Sequence, residues 1–295
     1  MTSSFFRFTA ATAALLLAPV FISSARVAAQ QAPSTPSTPS TTPAPAQQNQ
    51  QPGQTAASTD LPNALPPPTI DPAEEADFKA FSAIPATDAD KRVAAGNDFV
   101  KKYPAGHYTG AVYSALTQAE YAKQEPAKAI ADGEKAVAAN PDDLSSLIIL
   151  GSIIPRDNNT ATDPKELDKA EAYTKHALSL IPALQKPATL TDEQFTAMKA
   201  SAEVQAHSAL GLVYFRKQNF TGCVTELKAS TADPKSADAT DYYVLGICQN
   251  AQQNYADAAD SFGKCAAMQS GLSAACKQKG DDAKKQAAAK PSLSK

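Results

Sequence analysis

One pattern recurs along this chain: a bulky residue, Leu three positions on, a small residue directly after it, and a further large residue three later. It reads Leu147-x2-Leu150-Gly151-x2-Ile154, His207-x2-Leu210-Gly211-x2-Tyr214 and Tyr242-x2-Leu245-Gly246-x2-Gln249, with Tyr113-x2-Leu116-Thr117 as a weaker copy. Each copy precedes a second helical segment with small residues seven apart: Ala129 and Ala136, Ala170 and Ala177, Cys223 and Ser230, Ala258 and Cys265. This spacing places the glycine of the first helix against the small pair of the second, so the two axes approach closely while Leu and Tyr fill the space between neighbours. A single hairpin of this kind cannot bury its apolar stripe. Several stacked hairpins bury a continuous core and leave a groove along one side.

The pattern resembles the tetratricopeptide repeat (TPR), a 34-residue helix-turn-helix. The last copy matches best, since Tyr255, Ala258 and Phe262 also fit. Gly211 to Gly246 is 35 residues, whereas Gly151 to Gly211 is 60, so the excess is placed in two insertions, before Ala170 and between Pro182 and His207. The first lengthens a loop at 155–163; the second adds the N-terminal half of a long helix beginning near Asp192. The resemblance covers about 110–270 and implies a right-handed α-solenoid of antiparallel helix pairs. Residues 71–109 look like a degenerate N-terminal helix pair, and 271–295 like a capping helix and tail.

Period-two alternation is absent after Asp71, and apolar residues at helical spacing predict an all-α domain. The expected helices are 72–84, 87–103, 108–124, 126–139, 143–154, 164–181, 192–217, 220–231, 238–252, 255–269 and 273–288. Starts are marked by Asp71-Pro72, Glu125-Pro126, Pro141-Asp142-Asp143, Asp163-Pro164, and Thr191 with Gln194 three residues on, the last a capping box.

The first 29 residues carry no Asp or Glu. Arg7 precedes the apolar run Ala10–Ala18, and small residues surround Val27-Ala28-Ala29. That order is the arrangement of a cleavable secretory signal ending after Ala29. Residues 30–70 form a Pro/Ser/Thr/Gln-rich linker: ten of the chain's 22 prolines lie between Gln30 and Pro68, with Asp60 the single charge there. Such a segment buries too little apolar surface to offset its ordering entropy and is expected to be disordered. Extended as polyproline II it reaches on the order of 120 Å, suited to holding a folded domain away from a wall or membrane, or serving as a plain export linker. The formal charge is 27 − 30 = −3. No basic footprint of a nucleic-acid binder is present, and no apolar span beyond the N-terminal one predicts stable membrane insertion after signal cleavage. A periplasmic or secreted location follows.

All four cysteines lie in the C-terminal third. In an exported chain they are disulfide candidates: Cys265 with Cys276 across the Ser270-Gly271 turn, and Cys223 with Cys248 on consecutive helices. Cys223 and Cys265 equally fit as small buried residues in positions where the repeat takes Ala. The three histidines, 107, 176 and 207, have no i, i+4 partner, and neither C-x-x-C nor H-E-x-x-H occurs, so no metal and no cofactor is expected. No phosphate loop or nucleophile elbow appears, and acidic pairs such as Glu74-Glu75 stand at helix starts, where they favour the macrodipole. No catalytic residue is nominated.

In proteins this chain resembles, ligands lie against the first helix of each repeat, on the side away from the second. Carried over, that face contains Gln118, Tyr121, Ile148, Ser152, Gln205, Ser208, Leu212, Phe215, Arg216, Tyr243, Ile247 and Asn250. Leu212, Phe215, Tyr243 and Ile247 suggest an apolar patch for a peptide or helix of a partner, although such residues also suit packing between neighbouring helices or beneath the cap. Arg216 is the lone cation of the set. The expected function is a non-enzymatic protein-interaction scaffold of the cell envelope. The alternatives are a self-associating structural protein, or a hydrolase using Asp163, Asp192 and Glu193 of the 155–200 insertions.

Overall fold

A computed structural model describes residues 70–289, and among these every regular element is helical. The expected export signal at 1–29, the expected linker through residue 69 and tail residues 290–295 lie outside the described residues. In chain order the helices are α1 Pro72–Ser82, α2 Ala89–Lys102, α3 Thr109–Ala122, α4 Pro126–Ala139, α5 Leu144–Ile153, α6 Pro164–Leu180, α7 Asp192–Arg216, α8 Phe220–Ser230, α9 Ala239–Ala251, α10 Tyr255–Ala267 and α11 Ser273–Ala289, with a 3-10 turn at Ile181–Ala183. Each end falls within two residues of its sequence expectation.

Local chemistry accounts for the starts. Asp71 accepts from Ala73 N, Asp163 from Lys165 N, and Thr191 and Gln194 form a reciprocated capping box, so orphan first-turn N–H groups are satisfied. Glu125 and Asp143 make no side-chain cap bond; Pro126 and the first-turn geometry suffice there. The turns closing α3, α7 and α9 share one device. Gln124, Gln218 and Gln253 adopt φ of 59°, 57° and 61°. The next residue's N–H then returns to the helix, as in Glu125 N to Glu120 O, Asn219 N to Tyr214 O and Asn254 N to Gln249 O, each 2.8–3.0 Å. This left-handed cap turns the chain into the following helix.

Helices pair as α3/α4, α5/α6, α7/α8 and α9/α10, and the odd members pack side by side, α3 on α5, α5 on α7 and α7 on α9. The result is an α-solenoid. Its core is made of the repeat residues: Leu116, Leu147, Leu150, Ile154, Leu227 and Phe262 are at most 2% exposed. Burying each such side chain contributes roughly 1.5–3 kcal/mol. The glycines mark close helix approach, but not against the small residues. A Cβ on Gly151 would lie 2.2 Å from Thr174 Oγ1, on Gly211 2.5 Å from Leu227 Cγ, and on Gly246 2.7 Å from the Phe262 ring. The expectation that Gly faces the small pair is therefore corrected. It receives the larger residue lying between the pair, while Ala170, Ala177, Ala258 and Cys265 are themselves fully buried.

Register recurs outside the core as well. Lys123, Lys217 and Gln252, each ten residues after Tyr113, His207 and Tyr242, reach back to the preceding even helix: to Asp90, to Asp168 (2.7 Å) and Glu171, and to Thr221 (3.0 Å). Lys135 stands over Tyr113 and Lys264 over Tyr242, both 22 residues on, at 4.8 and 5.8 Å from the ring centroids. Exposed pairs of this kind contribute about 0–1 kcal/mol each, so they fix repeat register more than they add stability.

Two disulfide-bonded pairs tie the C-terminal half. Cys223 and Cys248 join α8 to α9, with Cα atoms 6.4 Å apart; Cys265 and Cys276 join α10 to α11, 5.8 Å apart. Beneath α11, Ala283 packs on Ala258, Ala259 and Phe262. Gly280 lets its backbone approach Phe262 closely, with 3.3 Å between a built Cβ and the Phe262 Cβ. The opposite side carries Lys277, Lys279, Asp281, Asp282, Lys284 and Lys285 in solvent. One face apolar and one charged is what closes a stack of repeats.

Candidate functional site

The side-by-side odd helices give the chain one shared surface, and the nominated residues divide on it. Tyr121 is 48% exposed, one of two large hydrophobics so open among the described residues, the other being Met268. Gln205 and Arg216 are exposed; Gln118, Ser152, Ser208, Phe215, Tyr243, Ile247 and Asn250 are half-buried. Ile148 and Leu212 are not surface residues. Ile148, 3% exposed, packs with Leu147, Ala177, Ile181, Ala202 and Ala206, because the insertion-lengthened α7 runs its first turns across α5. Leu212, 7% exposed, is sealed between α7 and α9 by Val244, Leu245 and Cys248. Both nominations are corrected on that ground. Tyr243 meets Phe262 edge to face at 6.0 Å, and Ile247 leans on the Ala258–Phe262–Ala283 cluster, so these two are shared between the surface and the cap.

Polar groups anchor the same surface. Ser208 Oγ donates to Asp241 Oδ1 at 2.6 Å, linking α7 to α9. Burial pushes the Asp241 carboxyl up, and hydroxyls of Ser208 and Ser230 pull it back in part. Arg216 Nε donates to Pro155 O at 2.8 Å, and Arg156 Nη1 to Ser152 O at 2.5 Å, so both guanidiniums cover the C-terminal end of α5. Orphan carbonyls and the negative end of the helix dipole favour cations there.

Elsewhere the structure pairs groups that are remote in sequence. His207 Nδ1 lies 2.7 Å from Glu226 Oε2, joining α7 to α8. His176 Nε2 lies 2.8 Å from Asp142 Oδ1, with Ser179 Oγ 3.5 Å from His176 Nδ1. The last trio has the residue types of a nucleophilic relay. Its serine, however, sits in the last turn of α6 and donates to the His176 carbonyl at 2.7 Å, away from the histidine ring. Asp163 caps α6, and Asp192 pairs with Lys186 at 2.5 Å in the first turn of α7, so two of the three insertion carboxylates have structural roles. Among the described residues no group of three or more His, Cys, Asp or Glu could hold a metal ion, and no helix is long and apolar enough to cross a membrane.

Sequence reasoning missed one buried pair. Glu120 of α3 and Asp132 of α4 are 2% and 8% exposed, and Glu120 Oε2 has no hydrogen bond. They occupy the register of Gln249 and Ser261, also twelve residues apart, where Ser261 Oγ donates to Gln249 Oε1 at 2.7 Å. Desolvation, then the Asp132 carboxylate, push the Glu120 carboxyl up to about 7. Alignment of the repeats column by column exposes this pair; reading one helix at a time does not.

No family model matches the sequence, and no curated protein matches it. Among solved structures, a thermophilic TPR protein of Thermus thermophilus is similar at 14% identity and a TM-score of 0.43, over 71% of this chain and 98% of that one. The fold assignment rests on the helix pairs themselves.

Proposed function

We propose that this chain is an exported, non-enzymatic TPR-like scaffold that binds a peptide or helix of a partner protein along the joint surface of α3, α5, α7 and α9. One observation carries the reading. Four helices from successive repeats adjoin, and their common surface holds Tyr121, Phe215, Arg216 and Asn250 at least partly open. Aromatic and Arg side chains of this kind dominate binding energy at protein interfaces. Two buried disulfide-bonded pairs support maturation in an oxidising compartment, as an envelope or secreted protein requires.

The test is affinity capture from the native envelope with mature protein, beside a Tyr121→Ser/Phe215→Ser variant whose helicity is verified by circular dichroism. Retention by the first and loss by the second supports the reading. Equal capture by both moves binding to another surface, and a doubling of mass with no other species retained favours the self-associating alternative.

A further inference from the structure

Three arginines fall among the described residues, and they are used in two ways. Arg92 is 4% exposed, donates Nε to Ile84 O at 3.1 Å and lies over the Phe81 ring, a structural role at the α1–α2 corner. Arg156 and Arg216 are exposed, and among the described residues neither forms a direct ion pair with a carboxylate, although Arg156 lies near enough to the buried Asp241 carboxyl to lower it in part. Neighbouring cations behave otherwise: Lys217 is held by Asp168 and Glu171, and Lys123 by Asp90. The carboxylate next to Arg156, Asp157, accepts from Asn159 N at 2.6 Å.

Each guanidinium is anchored to a backbone carbonyl. Their carbonyl acceptors, Ser152 O and Pro155 O, are three residues apart, one in the last turn of α5 and one just beyond it. Each spends one N–H on that anchor, and both residues are exposed, so a bound anion meets side chains already held in part. Phe215 flanks Arg216, its ring centroid 6.0 Å from the guanidinium carbon. A cationic spot of this kind stands out on a chain of formal charge −3.

We infer that Arg156 and Arg216 form an anion-reading point on the proposed binding surface, selecting a partner segment that carries internal Asp or Glu side chains beside an apolar residue that contacts Phe215. The inference rests on the proposed function and specifies its ligand class. Charge complementarity sets the choice, because unpaired guanidiniums bind carboxylates bidentately and a cationic or neutral segment leaves both arginines unanswered.

The test selects dodecapeptides from a random display library on the mature protein, then synthesises the best with amidated C-termini, so that only side-chain carboxylates remain. Expected are peptides enriched in Asp and Glu, binding about tenfold more weakly to Arg156→Gln/Arg216→Gln and recovering only part of that loss in Arg156→Lys/Arg216→Lys, which keeps the charge but not the bidentate fork, with affinity falling as salt rises. Circular dichroism of each variant excludes unfolding as the cause. Enrichment of peptides without acidic residues, lost in Phe215→Ser but unchanged in the Gln variant, overturns the anion point and keeps the binding surface. Absence of any enriched peptide, or binding only of a second copy of the chain, overturns both.

Discussion

Glu120→Gln should stabilise this protein above neutral pH, and the gain should vanish in mild acid. Glu120 is buried on α3 against Asp132 of α4, whose Oδ1 is held by Lys135 Nζ at 2.8 Å. Its carboxyl titrates near 7 when folded, against 4.5 as the ordinary value, chiefly because burial disfavours the charged form. The folded state therefore holds more protons between those values, and stability declines as pH rises through the window from 4.5 to about 7. At 1.36 kcal/mol per pKa unit the ceiling is about 3 kcal/mol; solvent screening near the helix end reduces the expected gain to ~1–2 kcal/mol. A glutamine removes the charge and offers Nε2 to Asp132, a bridge in the register of Gln249 and Ser261 but opposite in direction, since there Ser261 donates to Gln249 Oε1. Denaturant unfolding of both proteins from pH 4 to 8.5 should give stabilities that differ least at pH 4, diverge progressively from 4.5 and reach a constant separation above about 7. A difference independent of pH, or a variant less stable at pH 8, would refute the assignment of this pair.

Gly246→Ala places a methyl 2.7 Å from the Phe262 ring and should cost about 1–3 kcal/mol, read as a lowered thermal midpoint with helicity retained at 20 °C. Gln218→Gly relieves a φ of 57° in a non-glycine residue and should stabilise by about 1 kcal/mol; a loss of stability would contradict the cap geometry. Removing the Cys223–Cys248 link, whose residues are 25 apart in sequence, by Ala at both positions should cost roughly 3 kcal/mol in denaturant unfolding, with reductant producing a larger drop in the unmodified protein because it also opens Cys265–Cys276.

The helices were legible because their signals are local. Asp71-Pro72, Asp163-Pro164 and the Thr191–Gln194 box act within one turn, and the bulky-x2-Leu-Gly register repeats often enough to mark which segments pair. The cysteines were legible for the same reason, since consecutive helices bring their small positions together. Contacts set by where a whole helix lies were not. Ile148 read as a surface residue because the sequence reading left that face open; Ala206 of the repeat and Ala202 of the added turns of α7 cover it. Leu212 went the same way through α9, and the glycines met Leu227 and Phe262 because the second helix presents the residue between its small pair. Pairings such as His176 with Asp142, 34 residues apart, depend on both repeat length and loop path, which residue types alone do not specify.

The central claim is that the joint surface of α3, α5, α7 and α9 is where a partner protein docks. A photo-cross-linking residue placed at Tyr121, at Arg216 and, for contrast, at exposed Lys228 on α8 tests it in the cell that makes the chain. The account predicts one shared cross-linked species of another protein from the first two positions and none from Lys228. The same species from Lys228 alone, or from all three positions equally, would contradict it.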